Sequence, residues 1–457
     1  MIKKIYIAIL FLLFIQLSFG QEISSFNDSI SANFNEIKIA ADKHKQLWGK
    51  DLYGPILLVN PNTRQIVANF SGSTGILKQN NNIYSGILPA EINIANTAVN
   101  WDGRHWAMIM LPLPVNKQDR INLLAHELFH VSQPLLGFQL FNVENNHLDQ
   151  KNGRIYLRLE LEALKKALQT HNKIERKTHL TNALTFRKYR YLLYPGADIT
   201  ENLLELNEGI AEYTGSIISG RDRKQLSEHF IKNVNSFLSN PTFVRSFAYQ
   251  TIPIYGYLLD NTKKGWNREI TINTNLTDYF IKAFDITISN DLRKTTALLL
   301  NQYNGKAIIS EEGAREKETQ KMIAEYKSKF ITQPHFELVF EKMNVSFDPR
   351  NIIPIEDKGT VYTNIRVTDK WGILTVENGA LMSSKWDRIF ITNPLKTENK
   401  IISGEGWVLE LNDGYFVIKD DITDNYKLTK NRKKRHDDPK EISNLRKSPI
   451  GNILKFF

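Results

Sequence analysis

The sequence predicts an α+β protein: an N-terminal part with short strands, a long helical middle, and a separate all-β C-terminal domain. Three observations carry that expectation. Two strand-like runs, Pro55–Asn60 and Gln65–Asn69, flank the turn residues Pro61-Asn62. Apolar residues recur at helical spacing from about Asn116 to Tyr326, and beyond Pro334 short alternating runs are punctuated by Asn-Gly and Asp-Gly. With 457 residues, 42% hydrophobic and 24% charged, the chain is long enough for two or three cores.

The first twenty residues, MIKKIYIAILFLLFIQLSFG, set two lysines before an apolar run from Ile5 to about Phe14 and end in Ser18-Phe19-Gly20. That order predicts a signal peptide over 1–20, cleaved after Gly20, and an exported protein, periplasmic or extracellular. No later stretch is long and apolar enough to span a membrane. The lack of cysteine excludes disulfides and thiolate catalysis, so any metal must be held by His, Asp or Glu.

Residues 21–115 form the N-terminal α+β part: a helix over 28–49, the two strands, and a hairpin over 96–111 turning at Asp102-Gly103. Residues 116–333 form the helical part, opening on a helix that Asn116 caps and Pro134 ends. Within the segment 131–207, further helices are expected at Ile155–Leu168 and near Leu180–Leu193; the segment either caps a cleft or decorates the surface. Residues 335–426 form the β-rich domain. There Trp371–Val376 and Ala380–Met382 flank Asn378-Gly379, and Trp407–Leu411 and Tyr415–Ile418 flank Asn412-Asp413-Gly414, both as hairpins. From Lys427 to the end, ten basic residues face only Asp437, Asp438 and Glu441, so this tail holds +7 of the formal +10. On an exported protein that predicts a solvated terminus or contact with an acidic envelope surface, and no nucleic-acid partner. A monomer is expected.

The stretch Leu124-Ala-His-Glu-Leu-Phe-His130 carries the candidate chemistry. On a helix, Ile121, Leu124, Ala125 and Leu128 make one apolar stripe, and His126 and His130 project in parallel from the other side, where two imidazoles can reach one ion. Glu127, one step round, is placed to take a proton from water beside the metal. A second cluster, Leu204-Glu-Leu-Asn-Glu-Gly-Ile-Ala-Glu-Tyr-Thr-Gly215, turns Leu206, Ile210, Tyr213 and Ile217 inward and Glu208 and Glu212 to the other side. Glu208 can complete a His2Glu site for one Zn2+, and Glu212, one turn on, can accept the outer N–H of a ligand imidazole. Gly209 and Gly215 suit close helix approach. His147 and His229 lack metal-like spacing and are read as structural histidines.

HELFH followed by NEGIAEY resembles the gluzincin metallopeptidases over about residues 95–260. The resemblance implies a thermolysin- and aminopeptidase-like catalytic domain with zinc ligands His126, His130 and Glu208, catalytic base Glu127, and Glu212 orienting a ligand. It also implies that Ala107–Leu113 is the edge strand holding an extended peptide above the metal. The segment Ala248–Gly256 is similar to the tyrosine-bearing segment of one aminopeptidase group, with Pro253 starting a helix, and makes Tyr255 or Tyr249 the donor to the oxyanion.

The chain departs from the family in two respects. There are 77 residues between His130 and Glu208 where the family has a short connection, and no Gly-x-Met-Glu-Asn motif, which in that group grips a free amine, precedes HELFH. The implied protein is an exported zinc metallopeptidase with a peptide or protein substrate; without that motif exopeptidase action is unsupported and cleavage within a chain is the default, the choice between the two staying open. A catalytically silent peptidase-fold binding protein at the envelope, or a zinc hydrolase of non-peptide bonds, stays open as an alternative.

Overall fold

The structure, a computed structural model, describes residues 27–138, 143–348 and 352–430. The expected signal peptide over 1–20, and the basic tail beyond Lys430, lie outside the described residues. Helix α1 (27–43) turns Ile30, Phe34 and Ile37 into the core. Six strands then build one sheet: β1 (Ile56–Val59), β2 (Gln65–Ala68), β3 (Lys78–Asn80), β4 (Ile83–Ile87), β5 (Thr97–Trp101) and β6 (Arg104–Met110), ordered β3-β4-β2-β1-β6-β5. β1 and β6 run parallel and the other neighbours antiparallel.

Side chains alternate across a strand, so a central strand needs apolar residues on both faces. In β1 and β6, Ile56, Leu58, Ala107 and Ile109 join the helical core, while Leu57, Val59, Trp106 and Met108 fill a smaller core on the other side. The hairpin turns at Asp102-Gly103, both at positive φ. Its outer strand is β5, which corrects the expected edge over its first residues: Ala107–Met110 pairs with β1 on one side, and Arg104–Met108 pairs with β5 on the other. The buried run Trp106–Ile109 belongs inside, and the half-exposed Thr97–Trp101 takes the edge.

Helix α2 (Lys117–Ser132) starts where Asn116 accepts from the backbone N–H groups of Gln118 and Asp119 at 2.9 and 3.0 Å. Then come α3 (Lys151–Gln169), α4 (Lys173–Leu193), α5 (Ala197–Leu204), α6 (Ile210–Ile218), α7 (Arg223–Phe237), α8 (Ala248–Asp260), α9 (Leu276–Ala283), α10 (Leu292–Leu299) and α11 (Gly305–Lys327). The segment 131–207 is not surface decoration: Leu157, Leu161 and Leu164 of α3 and Leu184 and Phe186 of α4 are fully buried. Between α5 and α6, where periodicity predicts an unbroken α-helix, Glu205–Gly209 is a π-helical turn closed by Ile210 N–H on the Glu205 carbonyl. Pro253, expected to start a helix, lies inside α8, which begins at Ala248. Having no N–H, it leaves the Tyr249 carbonyl without that intrahelical bond.

From His335 the chain is a separate sheet-rich region: β7 (His335–Val339), β8 (Asn344–Phe347), β9 (Ile352–Ile355), β10 (Gly359–Tyr362), β11 (Ile365–Asp369), β12 (Gly372–Val376), β13 (Ala380–Ser383), β14 (Arg388–Thr392), β15 (Pro394–Glu398), β16 (Ile401–Gly404), β17 (Trp407–Leu411), β18 (Tyr415–Lys419) and β19 (Tyr426–Lys430). They form a seven-stranded sheet, β18-β19-β7-β14-β13-β10-β9, and a six-stranded sheet, β15-β16-β17-β12-β11-β8. One core, including Phe336, Ile391, Leu374 and Leu409, lies between them. Neither expected hairpin is one. β12 and β17 belong to the six-stranded sheet, whereas β13 and β18 belong to the other. Gly379 and Gly414 do adopt positive φ; turn chemistry reverses the chain without choosing the sheet it joins. Lys427 and Lys430, assigned from sequence to the tail, sit in β19, and Lys430 pairs with Glu341 at 2.7 Å. The helical part also reaches into this region: Val244 enters its core, and Phe330, with Tyr326 and Ile323, covers Ile355, Val361 and Leu381 on the other face of the seven-stranded sheet.

Candidate metal centre

α2 and α6 approach closely because Gly215 carries no Cβ; one built there would lie 2.6 Å from the Asn122 carbonyl oxygen. Gly209 fits against α8 in the same way, its Cβ position 2.7 Å from Ile252. The close crossing brings His126, His130 and Glu208 together. The two Nε2 atoms are 3.0 Å apart, and Glu208 Oε2 is 3.5 Å from that of His126 and 3.2 Å from that of His130. Four ligands held tetrahedrally at about 2.0–2.1 Å from zinc are about 3.3–3.4 Å from each other. The three separations match such a site.

The outer ring nitrogens fix which way the lone pairs point. His126 Nδ1 donates to Glu212 Oε2 at 2.9 Å, and Asn122 Nδ2 donates to the other oxygen of Glu212 at 3.0 Å. His130 Nδ1 meets Gln133 Oε1 at 2.7 Å. With each Nδ1 committed to its outer acceptor, the two rings turn Nε2 toward each other across 3.0 Å and toward Glu208. Asn207 Nδ2 donates to Glu208 Oε1 at 3.3 Å, leaving Oε2 toward the histidines. Burial opposes the Glu208 charge, yet His130 and His126 hold its carboxyl well below the usual carboxylate range. Burial likewise opposes a charged His126, but Glu208 and Glu212 raise its pKa well above the ordinary imidazole value.

Glu127 differs from the other carboxylates. It is 5% exposed, and its Oε2 is buried with no hydrogen-bond partner among the described residues. Burial pushes its carboxyl up from the ordinary value, against the pull of His126 and His130. An orphaned buried carboxylate oxygen is costly unless something unseen occupies it, and a proton acceptor beside a metal has that character.

A cleft of about 340 Å³ opens onto His126, Glu127 and Glu212, lined also by Asn96, Asp119, His229 and Tyr249. The Tyr249 ring stacks on His126 with centroids 5.3 Å apart, and its hydroxyl donates to Glu208 Oε2 at 2.5 Å. Tyr255, the other tyrosine offered for the oxyanion, is excluded by position. It is fully buried, and its hydroxyl donates to Glu160 at 3.0 Å. Six residues on from Tyr249 in α8, it is turned about 120° round that helix, toward Glu160 of α3 and Arg187 of α4. His147 bonds to Glu201, as a structural histidine does, but His229 lines the cleft. Sequence reasoning also missed Gln133, Asn122 and Asn207. Gln133 carried a local signal, since it lies three residues beyond His130 at the end of the same helix.

The chain matches no protein-family model, no curated protein and no solved structure. Fold and site together define a mixed α+β chain with a His126, His130 and Glu208 group able to hold a metal ion.

Proposed function

We propose that this protein is an exported, gluzincin-like zinc metallopeptidase that hydrolyses peptide bonds in a peptide or protein substrate. The observation that carries the proposal is the unpartnered, buried Oε2 of Glu127 beside a cluster whose ring nitrogens converge. His126, His130 and Glu208 would hold the zinc, which when bound supplies a Lewis acid that polarises a carbonyl and acidifies water. Glu127 takes the proton released as water adds to the scissile carbonyl carbon, then delivers it to the nitrogen as the C–N bond breaks. The raised carboxyl pKa of Glu127 suits both halves of that shuttle. Tyr249 stays protonated, because burial and the nearby Glu208 raise its pKa, so its hydroxyl is a donor for the oxyanion that forms over the cleft. Glu212 and Gln133 keep the ligand imidazoles turned inward.

The edge strand β5 gives this site a place for an extended substrate, since its outer backbone groups have no strand partner among the described residues. Export rests on the three-part N-terminus. Among the described residues no helix is long and apolar enough to cross a membrane. The test is metal analysis of purified protein together with cleavage of a diverse peptide library, with and without a chelator. One zinc per chain and chelator-sensitive cleavage are expected. Zinc without cleavage would favour the silent binding protein instead.

A further inference from the structure

The cleft, the polar cluster between α3, α4 and α5, and the amide at the end of α2 each hold buried polar groups, and the amide leads furthest. Gln133 is fully buried, and its side chain is used at both ends. Its Nε2 donates to the Asn207 carbonyl at 2.9 Å and lies 3.5 Å from that of Leu206. Its Oε1 faces His130 Nδ1 at 2.7 Å. Carbonyl oxygens only accept, so they fix which end of the amide is nitrogen. The oxygen end must then meet a donor. His130 Nδ1 must therefore carry the proton, and its Nε2 is the free lone pair. Leu206 and Asn207 both lie in the π-helical turn that presents Glu208.

We infer that Gln133 is a positioning residue that couples the two ligand motifs: it selects the tautomer of His130 and, through the backbone of the π turn, sets the register of Glu208 against it. This inference rests on the proposed metal site but makes a separate claim. His126 is served instead by a carboxylate, Glu212, that Asn122 orients within the α2–α6 crossing. A neutral amide suits the second role, because a carboxylate could not donate to the two carbonyls.

The test compares zinc affinity, by chelator competition, in wild type and Gln133→Met, with the visible spectrum of the cobalt-substituted proteins as a second readout. Methionine keeps the length of the side chain and removes both hydrogen bonds. The expected result is a loss of about 10- to 100-fold in affinity with an altered cobalt spectrum, in a protein whose circular dichroism stays native. Equal affinity and an unchanged spectrum would overturn the role of Gln133 alone. A wild type that takes up no zinc would overturn the metal site and this inference with it. Should Gln133→Met not fold, 15N-histidine NMR of the zinc-loaded wild type decides. A slowly exchanging Nδ1–H on His130 supports the inference, and a fast-exchanging or absent one overturns it.

Discussion

The Tyr249 hydroxyl donates to Glu208 Oε2 at 2.5 Å, the same oxygen that faces both histidines. One atom of Glu208 is thus shared between a hydroxyl and the place where a metal would sit.

Replacing each tyrosine of α8 separates a role in chemistry from one in packing. Tyr249→Phe is expected to keep zinc and the fold while lowering kcat by about 100-fold, the scale of losing one oxyanion donor. Tyr255→Phe removes a buried hydrogen bond to Glu160 and is expected to cost about 1–3 kcal/mol of stability with kcat unchanged. Steady-state kinetics and urea unfolding of the two variants check this, and interchanged effects would refute the assignment.

Beneath the π turn lies a buried ionic cluster. Arg187 bonds to both oxygens of Glu205 and to Glu160, and Arg190 bonds to both oxygens of Glu201 and to Glu160. All five side chains are fully buried. Removing one partner leaves uncompensated charge, so Arg187→Met is expected to cost about 3–5 kcal/mol. Burial alone would raise the Glu201 carboxyl, but Arg190 and then His147 outweigh it and hold it at about 2. A carboxyl depressed in the folded state stabilises above its unfolded value of about 4.3 and loses that contribution as pH falls toward the folded value, here on the order of 3 kcal/mol. Unfolding measured at several pH values should therefore show a steep loss below pH ~4 in wild type. Glu201→Gln should be less stable near neutrality and flatter across that window.

The β-rich region should depend on the helix before it. A fragment from residue 335 lacks Phe330, only 1% exposed, and with it Tyr326 and Ile323. A fragment from about residue 305 keeps all three. The longer one is expected to be more stable by about 2–3 kcal/mol, the value of burying one large aromatic side chain. Thermal unfolding of the pair tests it. Equal stability would place the boundary at His335, where the sequence puts it.

What was legible in the sequence was local or periodic. The Asn116 cap, the apolar stripe of α2 and the helical spacing of α3 and α4 each follow from residues within a turn or two. The two motifs also named residues that the fold brings together: His126, His130, Glu208 and, beside them, Glu212. What stayed hidden depends on partners distant in sequence. Trp106–Ile109 shows a strand but not that β5 would pair with it as far as Met108. Gly379 and Gly414 show reversals but not which sheet receives the chain. The π turn shifts the phase of Glu205–Gly209 by one residue, which no regular helical count contains. Gln133, Asn122 and Asn207 act through contacts with another helix, and a single amide carries no spacing signal of its own.

Zinc retention after dialysis, read beside peptide cleavage in Glu127→Gln and Glu208→Ala, tests the central claim most directly. Glu127 and Glu208 are both buried glutamates of one site, yet only Glu208 meets the histidine nitrogens, and only Glu127 has an orphaned oxygen. The account predicts one zinc per chain in Glu127→Gln with cleavage down by about 10²- to 10⁴-fold, and zinc lost along with activity in Glu208→Ala. Zinc retained by Glu208→Ala and lost from Glu127→Gln would contradict it.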